Sequence, residues 1–152
     1  MLKAAAAAGA AAAWPQRPVR AEGFLANLAP EEPVEKTIQR LFGGRPVRDG
    51  AAAIVLELPL IAEDGGNVAV SVEVKSPMTP QSYVKAIYIL SDKNLRSLNA
   101  KFNLTPACGQ AYVATSLRLA DTGDVRAVAE MQDGALFMMK RSVRVVVAGC
   151  AA

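Results

Sequence analysis

Between positions 52 and 147 the apolar residues recur at every second place, in short runs that turn residues interrupt. Successive side chains of an extended chain point to opposite faces, so this period of two describes half-buried strands and excludes an amphipathic helix over the same span. Ile54, Leu56, Leu58 and Leu60 alternate in a first strand; Asp64-Gly65-Gly66 turns the chain; Val68, Val70, Val72 and Val74 alternate in a second, so the two are expected to form a hairpin. After the break at Ser76-Pro77-Met78-Thr79-Pro80, further strands are expected over positions 83–90, 98–104 and 113–119. Val125, Ala127, Ala129 and Met131 mark a sixth, Asp133-Gly134 a tight hairpin, and positions 135–147 a seventh that ends in Val143, Val145 and Val147 on one face. Short strands about ten residues apart fit two packed sheets.

One segment departs from that period. Pro33 stands in a first helical turn among Glu31, Glu32 and Glu35, and Val34, Ile38 and Leu41 fall at helical spacing before Gly43-Gly44. The expected fold is therefore all-β: an immunoglobulin-like antiparallel β-sandwich of about seven strands with a short N-terminal helix. At 152 residues it is expected to be one domain.

The beginning of the chain has a different character. Positions 4–13 are small and apolar after Lys3, too short a run for a membrane span of about 20 residues. With Val19-Arg20-Ala21 as a small-x-small cleavage site, residues 1–21 read as an export signal, and 22–152 as the mature domain. Leu2-Lys3-Ala4-Ala5-Ala6 suits the tail of a twin-arginine signal whose arginine pair would lie upstream; a Sec-type leader and a low-complexity tail are the other readings. Lys3, Arg17 and Arg20 account for the net charge of +3, since the other 14 basic residues of 17 balance 14 acidic ones. No basic stripe of the kind that neutralises phosphates is visible, which argues against a nucleic-acid partner.

Histidine is absent, so neither a Ser-His-Asp nor a Cys-His mechanism can be assembled, and the commonest metal ligand is missing. Cys108 and Cys150 are too few for a thiolate zinc site. No catalytic residue, cofactor or metal is expected. What remains is the tail: the last strand runs into Ala148-Gly149-Cys150-Ala151-Ala152, a thiol among small residues. At roughly 3.3–3.6 Å per residue, three residues would lift Cys150 about 10 Å clear of the sheet. An ordinary thiol is only a few per cent ionised at neutral pH, and no basic side chain lies within the last eight residues, so activation would come from a partner's active site. That is the logic of a carrier.

Ser76-Pro77-Met78-Thr79, Tyr83-Val84-Lys85, Leu90-Ser91-Asp92-Lys93-Asn94, Phe102, Thr105-Pro106-Ala107 and the cysteine on its small-residue tail together resemble the SoxY family, over roughly residues 36–152. SoxY proteins are substrate carriers of the periplasmic thiosulfate-oxidising system. The resemblance implies a subunit paired with SoxZ and a Cys150 to which a c-type cytochrome, SoxXA, conjugates thiosulfate. It further implies that SoxB hydrolyses the terminal sulfonate to sulfate and that a sulfane dehydrogenase, where present, oxidises the remaining sulfur. Residues 148–152 would be the swinging arm, with Ala148, Gly149, Ala151 and Ala152 around the attachment point Cys150.

Two departures accompany the resemblance. The family arm reads Gly-Gly-Cys-Gly-Gly, and Ala148, Ala151 and Ala152 replace three of its glycines. Cys108 is unexpected beside Pro106; it reads as a half-buried core thiol or as the partner of Cys150 in a disulfide. Met131, Met138 and Met139 read as core filling rather than soft metal ligands. Lys140, Arg141 and Arg144 read either as a solvated strand face or as an anion-attracting cluster ahead of the arm. The other class of function for such a chain is an immunoglobulin-like binding module with an inert tail.

Overall fold

The computed structural model describes residues 30–149, and the expected leader lies outside them. The helix α1 (Val34–Phe42) follows Pro33 and ends on Gly43, whose φ of 59° is the left-handed conformation that glycine adopts without steric cost; its N–H donates to Gln39 O at 2.8 Å. Nine strands follow: β1 (Val47–Asp49), β2 (Ile54–Glu57), β3 (Ile61–Asp64), β4 (Val68–Val74), β5 (Val84–Ser91), β6 (Leu98–Asn103), β7 (Ala111–Leu117), β8 (Gly123–Met131) and β9 (Leu136–Val147). A 3-10 turn, Pro106–Cys108, precedes β7.

The strands form the expected all-β sandwich. The larger sheet runs β1-β9-β8-β5-β6, with β3 also on β9; the smaller runs β2-β4-β7. The 12-residue β9 is long enough for two short strands to share one of its edges, β1 opposite Leu136 to Met138 and β3 opposite Arg144 to Val147. Both pair with it in parallel, so two short parallel ladders sit in an otherwise antiparallel fold.

The alternation from Ile54 to Leu60, expected to be one strand, is divided. Pro59 has no N–H to give a ladder. The chain there leaves the smaller sheet for the larger, and the alternation is interrupted before it resumes: Ile54 and Leu56 are buried, Leu60 is exposed, and Ala62 faces the core again. β2 does pair antiparallel with β4, Ile54 opposite Val74, but β3 intervenes, so the two strands are not the tight hairpin expected across Asp64-Gly65-Gly66.

Burial accounts for the strand compositions. Val84, Ile87 and Ile89 of β5 face the core between the sheets with Val68, Val70, Val72, Val125 and Val143. Its alternate residues Ala86, Tyr88 and Leu90 face the other way, beneath Val34 and Phe42 of α1. Covered on both faces, β5 is apolar nearly throughout, where a one-sided strand would alternate. Each fully buried Ile or Leu contributes about 1.5–3 kcal/mol relative to exposure. Phe42 meets Tyr88 edge to face, ring centroids 5.0 Å apart.

Polar groups fix the helix on this sheet. The Tyr88 hydroxyl donates to Glu130 Oε2 at 2.9 Å, and Arg45 Nη1 donates to Glu130 Oε1 at 3.1 Å and to Gly134 O at 3.2 Å. Burial pushes the Glu130 carboxyl up, but the Tyr88 and Arg45 hydrogen bonds and the Lys85 charge outweigh it and hold Glu130 below its ordinary value. The same burial, and the carboxylate beside it, push the Tyr88 phenol well above its ordinary value.

Candidate functional site

Strand directions place the two ends of the sandwich far apart and assign the Cys108 turn to one and the described tail, up to Gly149, to the other. β9 runs toward Val147 and β7 toward Leu117, so the end of β9, the turn at Gly65 and the loop at Leu119 share one end. Pro106–Cys108 lies before β7, at the other end, with β7 itself spanning about 20 Å between them.

The root of the tail is built mostly from backbone. Beyond Gly123, which lies opposite Val143, β9 has β3 on one side only. Thr122 serves its other side: the hydroxyl accepts the Val145 N–H at 2.9 Å and reaches Val145 O at 3.3 Å. Gly65 N–H then donates to Val147 O at 2.8 Å, Leu119 N–H to Gly65 O at 2.7 Å, and Gly149 N–H to Leu119 O at 3.1 Å. Leu119 is buried, Ala148 exposed and Gly149 buried.

Two glycines make that closeness possible. A Cβ on Gly65 would lie 2.5 Å from Leu119 O and 2.7 Å from Gly149 N, and one on Gly149 would lie 2.6 Å from Gly65 O. Neither glycine has a positive φ, so the requirement is space rather than conformation. Ala148 and Gly149 are thus the described part of the expected arm; Cys150, Ala151 and Ala152 lie outside the described residues.

At the other end, Cys108 is exposed on its 3-10 turn, which corrects the expectation of a half-buried core thiol. The turn stands outside both sheets and buries none of its residues. The Thr105 hydroxyl lies 3.9 Å from Cys108 Sγ. Cys108 is a free thiol, and the length of β7 separates its turn from Gly149; the disulfide partner considered for it, Cys150, lies outside the described residues.

The other candidates disperse. Met131 and Met139 pack against the core between the sheets, whereas Met138 packs under α1. Among the described residues no group of three or more Cys, Asp or Glu side chains is placed to hold a metal ion. Of the basic cluster, Lys140 pairs with Asp124 at 3.1 Å and Arg141 donates to Leu56 O at 3.1 Å, while Arg144 is exposed beside the arm root. The Ser142 and Lys140 hydrogen bonds hold the Asp124 carboxyl below its ordinary value. No helix is long and apolar enough to cross a membrane among the described residues.

Apart from the tail itself, Ser91-Asp92-Lys93-Asn94 is the segment of the family resemblance that lies at the arm end among the described residues. Met78, in the loop at the opposite end, is buried with a φ of 48°, and its sulfur accepts the Val84 N–H at 3.4 Å. Thr122, Gly65 and Leu119 were not singled out by sequence as functional. The Asp-Gly-Gly turn is their one visible trace, and it does not reveal what the glycine touches.

The family profile for the sulfur oxidation protein SoxY matches residues 38–150, well over half of the chain, and the matched span reaches Cys150. Among solved structures, the sulfur carrier protein SoxY from Chlorobium limicola f thiosulfatophilum aligns with a TM-score of 0.61 at 28% identity, over 73% of this chain and 94% of that one. A superoxide reductase (neelaredoxin) from Ignicoccus hospitalis aligns with a TM-score of 0.56 at 16% identity, over 61% of this chain and 80% of that one. A putative superoxide reductase from Thermotoga maritima gives 0.55 at 16%, over 66% and 92%. The last two show a shared fold alone. Curated proteins gave no match.

Proposed function

The chain belongs to the SoxY family of sulfur oxidation proteins, and from that membership we propose that it is a non-catalytic carrier that holds a sulfur substrate covalently on Cys150. The observation that supports this most is the reach of the family match through Cys150, joined to a strand that carries the described part of the tail, Ala148 and Gly149, to one end of the sandwich. Ala148, Gly149, Ala151 and Ala152 form the arm around it. The loading step joins the Cys150 sulfur to the outer sulfur of thiosulfate: the thiol loses its proton, and the two electrons released pass to a SoxXA-type c cytochrome acting as oxidant. Hydrolysis by a SoxB-type enzyme then removes the sulfonate as sulfate, and a sulfane dehydrogenase, where present, oxidises the sulfur left on the carrier.

The placement suits a protein that is acted on. A carrier thiol needs no acid or base of its own, and this chain has no histidine to supply one. A SoxZ-like partner, a periplasmic location and removal of the leader at residues 1–21 complete the reading. The test is the intact mass of the purified protein after incubation with thiosulfate and the oxidised cytochrome. An increase by one S2O3 group, lost in Cys150→Ser, is the expected result; an unchanged mass would favour a binding module with an inert tail.

A further inference from the structure

Three loops meet where β9 ends, and one side chain ties two of them together. Asn94, buried in the β5–β6 loop, donates through Nδ2 to Arg118 O at 2.7 Å and to Asn99 Oδ1 at 2.9 Å, while its Oδ1 accepts the Ala120 N–H at 2.9 Å. Asn99 Nδ2 in turn donates to Ser91 Oγ at 2.9 Å, which orients the pair. A carboxamide carries donor and acceptor on one planar group, so Asn94 can clasp a carbonyl and an N–H on either side of a single residue. That residue is Leu119. Its N–H is given to Gly65 O, and its carbonyl receives the Gly149 N–H.

We propose that Asn94 is the positioning residue of the carrier arm: it fixes Leu119, which with Gly65 forms a seat that holds Gly149 and so sets how far the thiol of Cys150 can travel. The functional meaning rests on the carrier reading; the seat itself does not. While Gly149 is seated, Cys150 is one Cα step of about 3.8 Å from a fixed point. When the chain is released back to Val147, Ala148 and Gly149 add about 7 Å of reach. The arm therefore has two lengths, and a partner with a deep reaction centre must draw Gly149 off its seat.

The seat also accounts for the glycine at position 149. Of the four glycines around the cysteine in the family pattern, this chain keeps only Gly149, whose Cβ would strike Gly65 O at 2.6 Å. The side chain at position 148 is exposed, where a methyl group meets no such obstacle.

The seat is tested first in the unaltered protein, through hydrogen exchange of the Gly149 amide. Protection of about tenfold or more over an unstructured peptide is expected, and exchange at the unstructured rate overturns the proposal. The role of Asn94 is then read from a nitroxide attached to Cys150 in Cys108→Ser protein. Asn94→Ala and Gly65→Ala are each expected to raise the mobile component of the spectrum several-fold and to abolish the Gly149 protection. Leu104→Ala, a destabilising change at the opposite end, is expected to leave both unchanged. Should Asn94→Ala fail to fold, Asn94→Asp, which keeps the acceptor for Ala120 and loses both donors, takes its place. Unchanged spectra in the seat variants, or an equal change in Leu104→Ala, contradict the proposal. No thiosulfate or partner enters these measurements, so failure of sulfur loading with a protected Gly149 would remove the carrier reading and leave the seat standing.

Discussion

The two ends of the sandwich handle a cysteine in opposite ways. At one end Cys108 stands on a short 3-10 turn, exposed, with the hydroxyl of Thr105 as its near polar neighbour. At the other, the chain leading to Cys150 is brought in by the longest strand, braced by Thr122, and held by hydrogen bonds to Gly65 and Leu119 through the residue before the cysteine. Mere accessibility of a thiol is easily obtained on a surface turn. What the arm end adds is a defined starting point, which a tether needs if its reach is to be reproducible.

Substitutions can break or sharpen that contrast. The largest effect is expected from Leu119→Ala: truncating a leucine that is 3% exposed should cost about 2–5 kcal/mol, against less than half as much for the half-buried Leu104 at the Cys108 end. Denaturant unfolding of the two variants measures this, and equal losses would mean that the arm end is no better built. Gly65→Ala comes next, at about 1–3 kcal/mol, because its methyl would press on the carbonyl of Leu119 rather than on a side chain that can turn aside. Gly109→Ala, beside Cys108, has open space around its Cβ but a φ of 71°, and should lose about 1 kcal/mol through backbone strain alone. Thr122→Val should cost about 1 kcal/mol by removing the hydroxyl from Val145, with faster exchange confined to the end of β9.

The smallest effect concerns acid. Glu130 and Asp124 both titrate below their ordinary values in the fold, 4.5 and 3.8, so the stability they contribute is present above those values and is lost as the pH falls through their folded-state values. Glu130→Gln and Asp124→Asn should each flatten the acid limb of a stability-against-pH curve. The effect should be greater for Glu130, whose side chain is 9% exposed against 23% for Asp124. An acid limb unchanged in Glu130→Gln would show that its hydrogen bonds to Tyr88 and Arg45 contribute nothing net.

Local pattern made much of this readable. The stripe Val34, Ile38, Leu41 before Gly43 marks α1, and the alternations at Val68 to Val74 and Val113 to Leu119 mark two strands of the smaller sheet, because periodicity and capping are properties of adjacent residues. β1 escaped because Val47-Arg48-Asp49 is too short to alternate and exists only by lying against β9. The division at Pro59 was hidden by an apolar alternation that continues through the proline although the chain changes sheets. Cys150 was conspicuous, whereas the contact of Gly65 with Gly149 spans most of the domain and leaves no mark in either neighbourhood. Asn94 stood within a segment that resembled the family, but its grip on Leu119 belongs to the folded chain alone.

The central claim is that sulfur is carried at the arm end and not at the exposed thiol of the other. Peptide mapping after loading with thiosulfate and an oxidised c-type cytochrome decides this, since the peptides containing Cys108 and Cys150 differ in mass. The account predicts the S2O3 group on the Cys150 peptide alone, with loading undiminished in Cys108→Ser. Label on the Cys108 peptide, or loading that persists in Cys150→Ser, would contradict it.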